Sequence, residues 1–266
     1  MNKSLQSPPL EGSPLGSPRT VAATSRSVRE MFAAVAPRYD FLNHFLSAGL
    51  DLSWRRAAAK AVREPLARLD SVALDICCGT GDLAFALRRV SAGKIFAADF
   101  CQPMLEQAKA KSRNTSRPVS LMSADALSLP VRNGSVDVIT SAFGFRNLAS
   151  YELGLREIHR ALKPGGVLAI LEFSHVRWPL FGPLFRLYFA HVLPRVGTWV
   201  SGIRGPYQYL HNSASRFPDQ ETLAETMRRS GFVKVRYLNF MGGVAALHFA
   251  EKGEAEGPAG QEEIAI

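Results

Sequence analysis

Gly79, Gly81 and Ala84 fall in the stretch LDICCGTGDLA at the G-x-G-x-x-A spacing of a nucleotide-binding turn, and the acid Asp75 stands four residues ahead of the first glycine. Glycines so spaced let a strand turn tightly into a helix whose N-terminus attracts negative charge. A carboxylate beside a pyrophosphate would oppose it, whereas a ligand with a cationic amino-acid end is attracted by one. Two more acids extend the pattern. Asp99 lies eighteen positions after Gly81, where a carboxylate accepts the hydroxyls of a ribose, and Asp125 lies where a side chain can take the amino group of an adenine. Three carboxylates at three successive strand ends suit a nucleoside with a positively charged tail, and S-adenosylmethionine is such a molecule. A nicotinamide cofactor would use the glycine spacing and Asp99 but leaves Asp75 and Asp125 without a task. Asp82, at a helix start, is expected only to cap that helix.

These acids need strands to carry them. VALDI (72–76), KIFAAD (94–99), VSLMSAD (119–125), VDVITSAF (136–143) and GVLAILEF (166–173) are short, apolar or β-branched, and bounded by turn residues. Between them, DLAFALRRV, QPMLEQAKAKSR and ELGLREIHRALKPGG have helical patterning, the last ending on a Lys-Pro-Gly-Gly stop. Strand and helix in alternation predict right-handed βαβ units and a parallel sheet covered on both faces. FVKVRYLNF and VAALHFA, separated by Met241, Gly242 and Gly243, predict an antiparallel hairpin that completes a seven-stranded sheet. The fold class is therefore α/β and Rossmann-like.

Two segments stand outside the alternation. Residues 27–63 form a helical lead-in broken at Pro37. Residues 175–217 form an apolar insertion, either helices packed on the domain, or a lid over a greasy pocket, or a surface that dips into lipid headgroups. Arg186, His191, Arg195, Pro183 and Pro194 interrupt that insertion, so it offers no bilayer span. Residues 1–26 are rich in Ser, Pro and Gly and are expected to be a flexible tail, as are the acidic residues 251–266 around one domain at 27–250. With no apolar run after a basic start, and with Cys77, Cys78 and Cys101 expected to be reduced packing residues, the chain is expected to be cytoplasmic. No metal site is expected from these cysteines. The formal charge of +9 favours a polyanion or an anionic membrane surface. Aromatic residues interleaved with Lys and Arg are absent, so no nucleic-acid partner is expected.

At these residues the chain resembles the class I methyltransferases, and within them the ubiquinone and menaquinone biosynthesis C-methyltransferases, over about residues 28–250. The resemblance is carried by FAAVAPRYDFLNHFLSAGLDLSWRR, LDICCGTGDLA, FGFRNL, ALKPGGVLAILEFS, HVLPRVG, YQYL, FPDQETL and GGVAALH. It implies that Gly79, Thr80 and Gly81 wrap the methionine part of S-adenosylmethionine, that Asp99 holds its ribose, and that Asp125 with the backbone of Ala126 reads its adenine. Members commonly carry Ser before the Phe-Gly of FGFRN, where this chain has Ala142, which leaves a backbone contact there.

The resemblance further implies methyl transfer to a ring carbon of a prenylated quinol, a demethylmenaquinol or a polyprenyl methoxybenzoquinol, in respiratory quinone biosynthesis. Another small lipid or phenol is the alternative acceptor. Ring carbon is a weak nucleophile until a ring hydroxyl ionises. Arg146 is expected to stabilise that oxyanion or polarise a water, Asn147 to orient the ring, and Tyr39 to lie close to the donor. Their structural alternatives are an ion pair for Arg146 and a packed aromatic for Tyr39. Of the histidines, His175 and His191 are the ones to consider as bases. A prenyl tail has to be received from the bilayer, which suits peripheral contact with an anionic membrane, and a homodimer is compatible with the sequence.

Overall fold

The computed structural model describes residues 39–113, 117–179, 181–188 and 206–254, together with Arg26, residues 28–33, Ala36, His191 and Arg195. Seven strands form one sheet in the order β3-β2-β1-β4-β5-β7-β6. They are β1 (Val72–Ile76), β2 (Lys94–Asp99), β3 (Ser120–Ser123), β4 (Val136–Ala142), β5 (Leu162–Phe173), β6 (Phe232–Phe240) and β7 (Ala245–Lys252). The first five pair in parallel, and β7 runs antiparallel to both β5 and β6. The helices are α1 (Tyr39–Leu46), α2 (Leu50–Ala61), α3 (Asp82–Val90), α4 (Gln102–Ser112), α5 (Tyr151–Ala161), α6 (Phe181–Leu187), α7 (Pro206–Arg216) and α8 (Gln220–Arg229).

Strand alternation sends successive side chains to opposite faces and so builds two cores. Leu74, Ile76, Ile139, Leu168 and Ile170 pack with Leu155 and Ile158 of α5 and Met227 of α8. Ala73, Val138, Ala169 and Leu171 pack on the other face with Trp54 and Ala58 of α2 and Leu83 and Leu87 of α3. A sheet buried on both sides needs continuous apolar strands, which is why these segments stand out in the sequence.

The β1–β4 reversal of strand order opens a crevice at the carboxyl ends of the strands. The opposite end is pinned by Asp137 at the start of β4. Its carboxylate accepts from the Val72 backbone at 2.9 Å, Arg68 at 2.6 Å and Lys163 at 2.7 Å. Burial opposes that charge, but the bonds from Lys163 and Val72 outweigh it and hold the carboxyl below its ordinary value.

Several expected boundaries move. Lys163, Pro164 and Gly165 do not simply stop α5, which ends at Ala161, but continue as the start of β5. β7 runs on to Lys252, two residues into the stretch read as an acidic tail. β1 keeps its expected bounds, and Cys77 and Cys78 lie in the turn that follows it. The lead-in is interrupted at Gly49, in the left-handed region at φ 76°, while Pro37 lies outside the described residues. Residues 1–25, 255–266 and most of HVLPRVG also lie outside them; the described parts of 175–217 include α6 and α7.

Asp137 lies at the end of the sheet remote from the crevice. Asp137→Ala should lower the unfolding free energy in urea by about 1–3 kcal/mol, because the half-buried Val72 N–H loses its acceptor and Lys163 its partner, with no change in nucleoside affinity.

Candidate active site

The crevice is a cleft of about 910 Å³, counted to its solvent mouth, over the ends of β1, β2 and β4. Asp75, Gly79, Thr80, Asp99, Asp125, Ala126, Ala142, Tyr39 and Asn147 all line it. Gly81 and Arg146 do not.

Asp75 is 1 % exposed. One carboxylate oxygen accepts from Thr140 Oγ1 at 2.7 Å, and the other has no hydrogen-bond partner among the described residues. Burial pushes its carboxyl up to about 7, against the opposing bond from Thr140, the charge of Arg55 and the nearby backbone N–H of Ala84 at the start of α3. A buried acceptor one bond short, on the wall of an open cleft, fits a cationic donor such as an ammonium group.

Asp99 ends β2 and ties the glycine loop to it. Its oxygens accept from Gly79 N and Cys101 N, each at 2.8 Å. Each oxygen keeps lone-pair capacity, so the carboxylate can still receive ribose hydroxyls. Asp125 accepts from Leu127 N at 2.9 Å and fixes the turn after β3. Gly79 has φ 54°, and a side chain there would point across the cleft toward Tyr39 Cε1, 4.0 Å away. Gly81 instead precedes α3 in the left-handed region, so it shapes the loop from behind.

Asp82 provides no side-chain cap for α3. Its carboxylate meets Lys111 Nζ at 2.7 Å, and the same ammonium lies 2.6 Å from Asp40 and donates to Thr80 Oγ1 at 3.0 Å. Asp40 also accepts from Thr80 Oγ1. Asp40, His44 and Asp82 have the grouping of a cation site, and Lys111 fills that position. The cluster straps α1 to the glycine loop and carries Tyr39 over the cleft.

The turn after β4 is held by close approach. A Cβ on Gly144 would lie 2.5 Å from Cys77 Cβ, so only glycine lets this turn pass the loop after β1. Phe143 and Cys77 on either side of that contact have φ 59° and 51°. Asn147 reaches the cleft from the turn, its Oδ1 accepting from Tyr209 at 2.8 Å.

Arg146 departs from the expectation of direct contact with the acceptor. It is 5 % exposed, its Nη1 donates to Glu172 at 2.8 Å and to the Phe143 carbonyl, and Nε reaches Ser213 Oγ at 3.4 Å. Burial works against its charge, and the Glu172 carboxylate more than offsets this. The side chain therefore braces the turn from beneath. Its charge still reaches Tyr39: burial raises that phenol, and Arg146 and Arg55 pull it back down. Ser141 lies on the other face of β4 from Ala142, buried and absent from the cleft lining, so it does not substitute for the missing serine. His175 bonds to the Phe217 carbonyl at 3.0 Å; neither it nor His191 lines the cleft.

Sequence reasoning missed Arg55, Phe32, Phe100 and Met104, which also line the cleft. Arg55 had a legible signal: Asp51 and Arg55 form an i, i+4 charged pair that is buried between Trp54 and Ala58 on the core face of α2.

Residues 20–252 match the ubiE/COQ5 methyltransferase family. The chain is 46 % identical over 228 residues to a demethylmenaquinone methyltransferase of Deinococcus radiodurans, covering 85 % of this chain and 93 % of that one. It is 44 % identical over 223 residues to a demethylmenaquinone methyltransferase of Thermus thermophilus, covering 84 % and 100 %. Among solved structures it resembles a SAM-dependent methyltransferase from Thermotoga maritima, with a TM-score of 0.60 at 19 % identity over 84 % of this chain and 98 % of that one. The cyclase SpnF gives the same TM-score at the same identity, over 87 % and 97 %, so the fold alone does not settle the reaction. With the family match spanning the whole described domain, the chain belongs to the ubiE/COQ5 methyltransferase family, and S-adenosylmethionine is its methyl donor.

Proposed function

We propose that the protein methylates a ring carbon of a prenylated quinol, with a demethylmenaquinol as the acceptor. The observation that carries this reading is the cleft itself: an unpaired Asp75 oxygen at the donor end, and Tyr39 and Asn147 at the mouth beside apolar Phe32, Leu148 and Phe143. Relatives at 46 % and 44 % identity carry the name of that activity.

When bound, S-adenosylmethionine supplies an electrophilic sulfonium methyl group. The rest is done by the chain. Asp75 offers its unpaired oxygen to the ammonium, Asp99 its lone pairs to the ribose, and Asp125 with the Ala126 backbone the edge that meets adenine. Asn147, with Oδ1 taken by Tyr209, has its Nδ2 amide to donate to a ring hydroxyl or the oxyanion formed from it. Tyr39 closes over the reacting atoms and excludes water, and the two guanidinium groups near its phenol favour negative charge there. Arg146 is a positioning residue that holds Phe143 and Asn147 in place. The main contribution is alignment of a weak carbon nucleophile with the methyl group.

The prenyl tail calls for a lipid surface. Phe41 and Phe45 on α1 are 63 % and 56 % exposed and stack with centroids 6.0 Å apart, on the same helix that brings Tyr39 to the cleft. With a formal charge of +9, the protein suits an anionic headgroup layer. No helix among the described residues is long and apolar enough to cross a membrane.

Incubation with methyl-labelled donor and a panel of demethylated quinols should place label in the ring of the extracted menaquinol; label in another phenol, or in none, overturns the acceptor. In the same assay Asn147→Ala should lose at least about a hundredfold in turnover with donor affinity unchanged, whereas Arg146→Met should lose stability by about 3–5 kcal/mol, because Glu172 is left buried and unpaired.

Proton linkage at Asp75 gives a second expectation. The free cleft holds its carboxyl near 7, and a bound ammonium favours the ionised form, so nucleoside binding releases a proton. Affinity for adenosylhomocysteine should then fall about tenfold per pH unit below 7, and Asp75→Asn should flatten that dependence in calorimetry.

Flotation with anionic vesicles should carry the wild type upward, and Phe41→Ser with Phe45→Ser should leave it at the bottom. Recovery of the double variant with the vesicles would remove the aromatic pair from the contact.

A further inference from the structure

Among the described residues that line the cleft, Arg55 is the single cationic one. Its carboxylate neighbours on the lining are Asp75, Asp82, Asp99 and Asp125. It projects from α2, the helix packed on the face of the sheet to which Ala73 points, and strand alternation puts Asp75 on that same face. The guanidinium is 7 % exposed and lies over the Phe143 ring, 5.0 Å from its centroid. Nη1 donates to Asp51, and no other hydrogen bond of this side chain is formed among the described residues, so most of its five donors are unspent. Asp51 does not depend on Arg55 alone: it also accepts from Ser47 at 2.7 Å and meets His44 at 2.9 Å.

The donor brings one permanent anion into this cleft, the carboxylate of its methionine. That carboxylate and the ammonium share a carbon, so the groups that receive them must be neighbours. Leaving the carboxylate unpaired as water is expelled would oppose binding strongly, and the carboxylates of the lining would repel it. A phenolate on the acceptor is only transient and has Asn147 beside it. We propose that Arg55 holds the α-carboxylate of the methyl donor, opposite the ammonium site at Asp75, so that the two side chains grip the amino-acid end as a charge pair of reversed order. This assignment rests on the methyl donor and not on the identity of the acceptor. The influence of the Arg55 charge on both the Asp75 carboxyl and the Tyr39 phenol agrees with a position between them.

Calorimetric titration with adenosylhomocysteine, its decarboxylated counterpart and 5′-methylthioadenosine tests the pair without turnover. Wild-type protein should bind adenosylhomocysteine about 10- to 100-fold more tightly than the decarboxylated ligand, the worth of a charge-assisted bond. In Arg55→Met the preference should vanish while 5′-methylthioadenosine binds as before, and Arg55→Lys, which keeps a cation for Asp51, should restore part of it. A wild type indifferent to the carboxylate, a methionine variant that still discriminates, or one that loses all three ligands alike would overturn the assignment. So would unchanged adenosylhomocysteine affinity with only the quinol KM raised, which would move Arg55 to the acceptor. If Arg55→Met does not fold, the wild-type comparison and the lysine variant decide between the same outcomes. Binding of none of the three ligands by the wild type would instead overturn the donor site as a whole.

Discussion

A buried carboxylate kept one hydrogen bond short organises this molecule. Asp75 lies at the centre of the sheet, where β1 is flanked by β2 and β4, and among the described residues the one side-chain bond to it comes from Thr140 on the neighbouring strand. Burying an ionisable group with an unpaired oxygen works against folding, and the surrounding cores must offset that cost. They do so because both faces of β1 are sealed by helices, leaving its carboxyl end as the opening. The switch in strand order then makes the unsatisfied oxygen available to a ligand while withholding it from bulk water.

The parts of the fold that were legible are those where burial is two-sided. β1 and β2 begin and end where their apolar runs do, because a central parallel strand has no solvent face on which polar residues could blur the edges. The extension of β5 back to Leu162 was hidden, since Lys163, Pro164 and Gly165 look like turn residues until β4 supplies a partner at Val136. Asp75 and Asp99 were legible because each occupies one of the last two positions of a strand whose end the pattern locates, whereas Asp125 lies two residues beyond β3, which stops at Ser123 and not at the end of VSLMSAD. Which way Arg146 faces was not legible, for the opposite reason. It sits on a 3₁₀ turn of three residues, Phe145–Asn147, too short for any periodicity to say which side chain faces in. Asn147 turned toward the cleft and Arg146 toward Glu172, a partner 26 residues away that only the β4–β5 pairing brings close.

The lead-in was recognisable as helical, yet its purpose is not written in its period. α1 and α2 do not simply cover the sheet. α2 buries Asp51 and Arg55 on a face that otherwise packs Trp54 and Ala58, and α1 is tied to the glycine loop through Asp40, Thr80, Lys111 and Asp82. These contacts join residues 40 to 111, so the cleft mouth is closed by charge pairs between segments far apart in sequence. Pairs of this kind have partial solvent access and contribute modestly to stability. Their value is geometric, since they decide where Tyr39 stands.

The same sheet serves a cyclase and a methyltransferase, so the reaction must lie in what surrounds the donor. Here the surroundings divide the labour by burial. Fully enclosed charges, Arg146 with Glu172, are neutralised by each other and act as a brace for the turn that carries Asn147. Charges on the cleft wall, Asp75 and Arg55, are only partly answered by the protein, and each therefore retains bonding capacity for a ligand. Between them, Tyr39 is a phenol raised by burial and lowered by two guanidinium groups, so its proton is held by opposing effects of unlike range. With burial the larger effect, the phenol keeps its proton in the free cleft, so on the proposed reading an ionising ring hydroxyl is answered by the Asn147 amide and not by Tyr39.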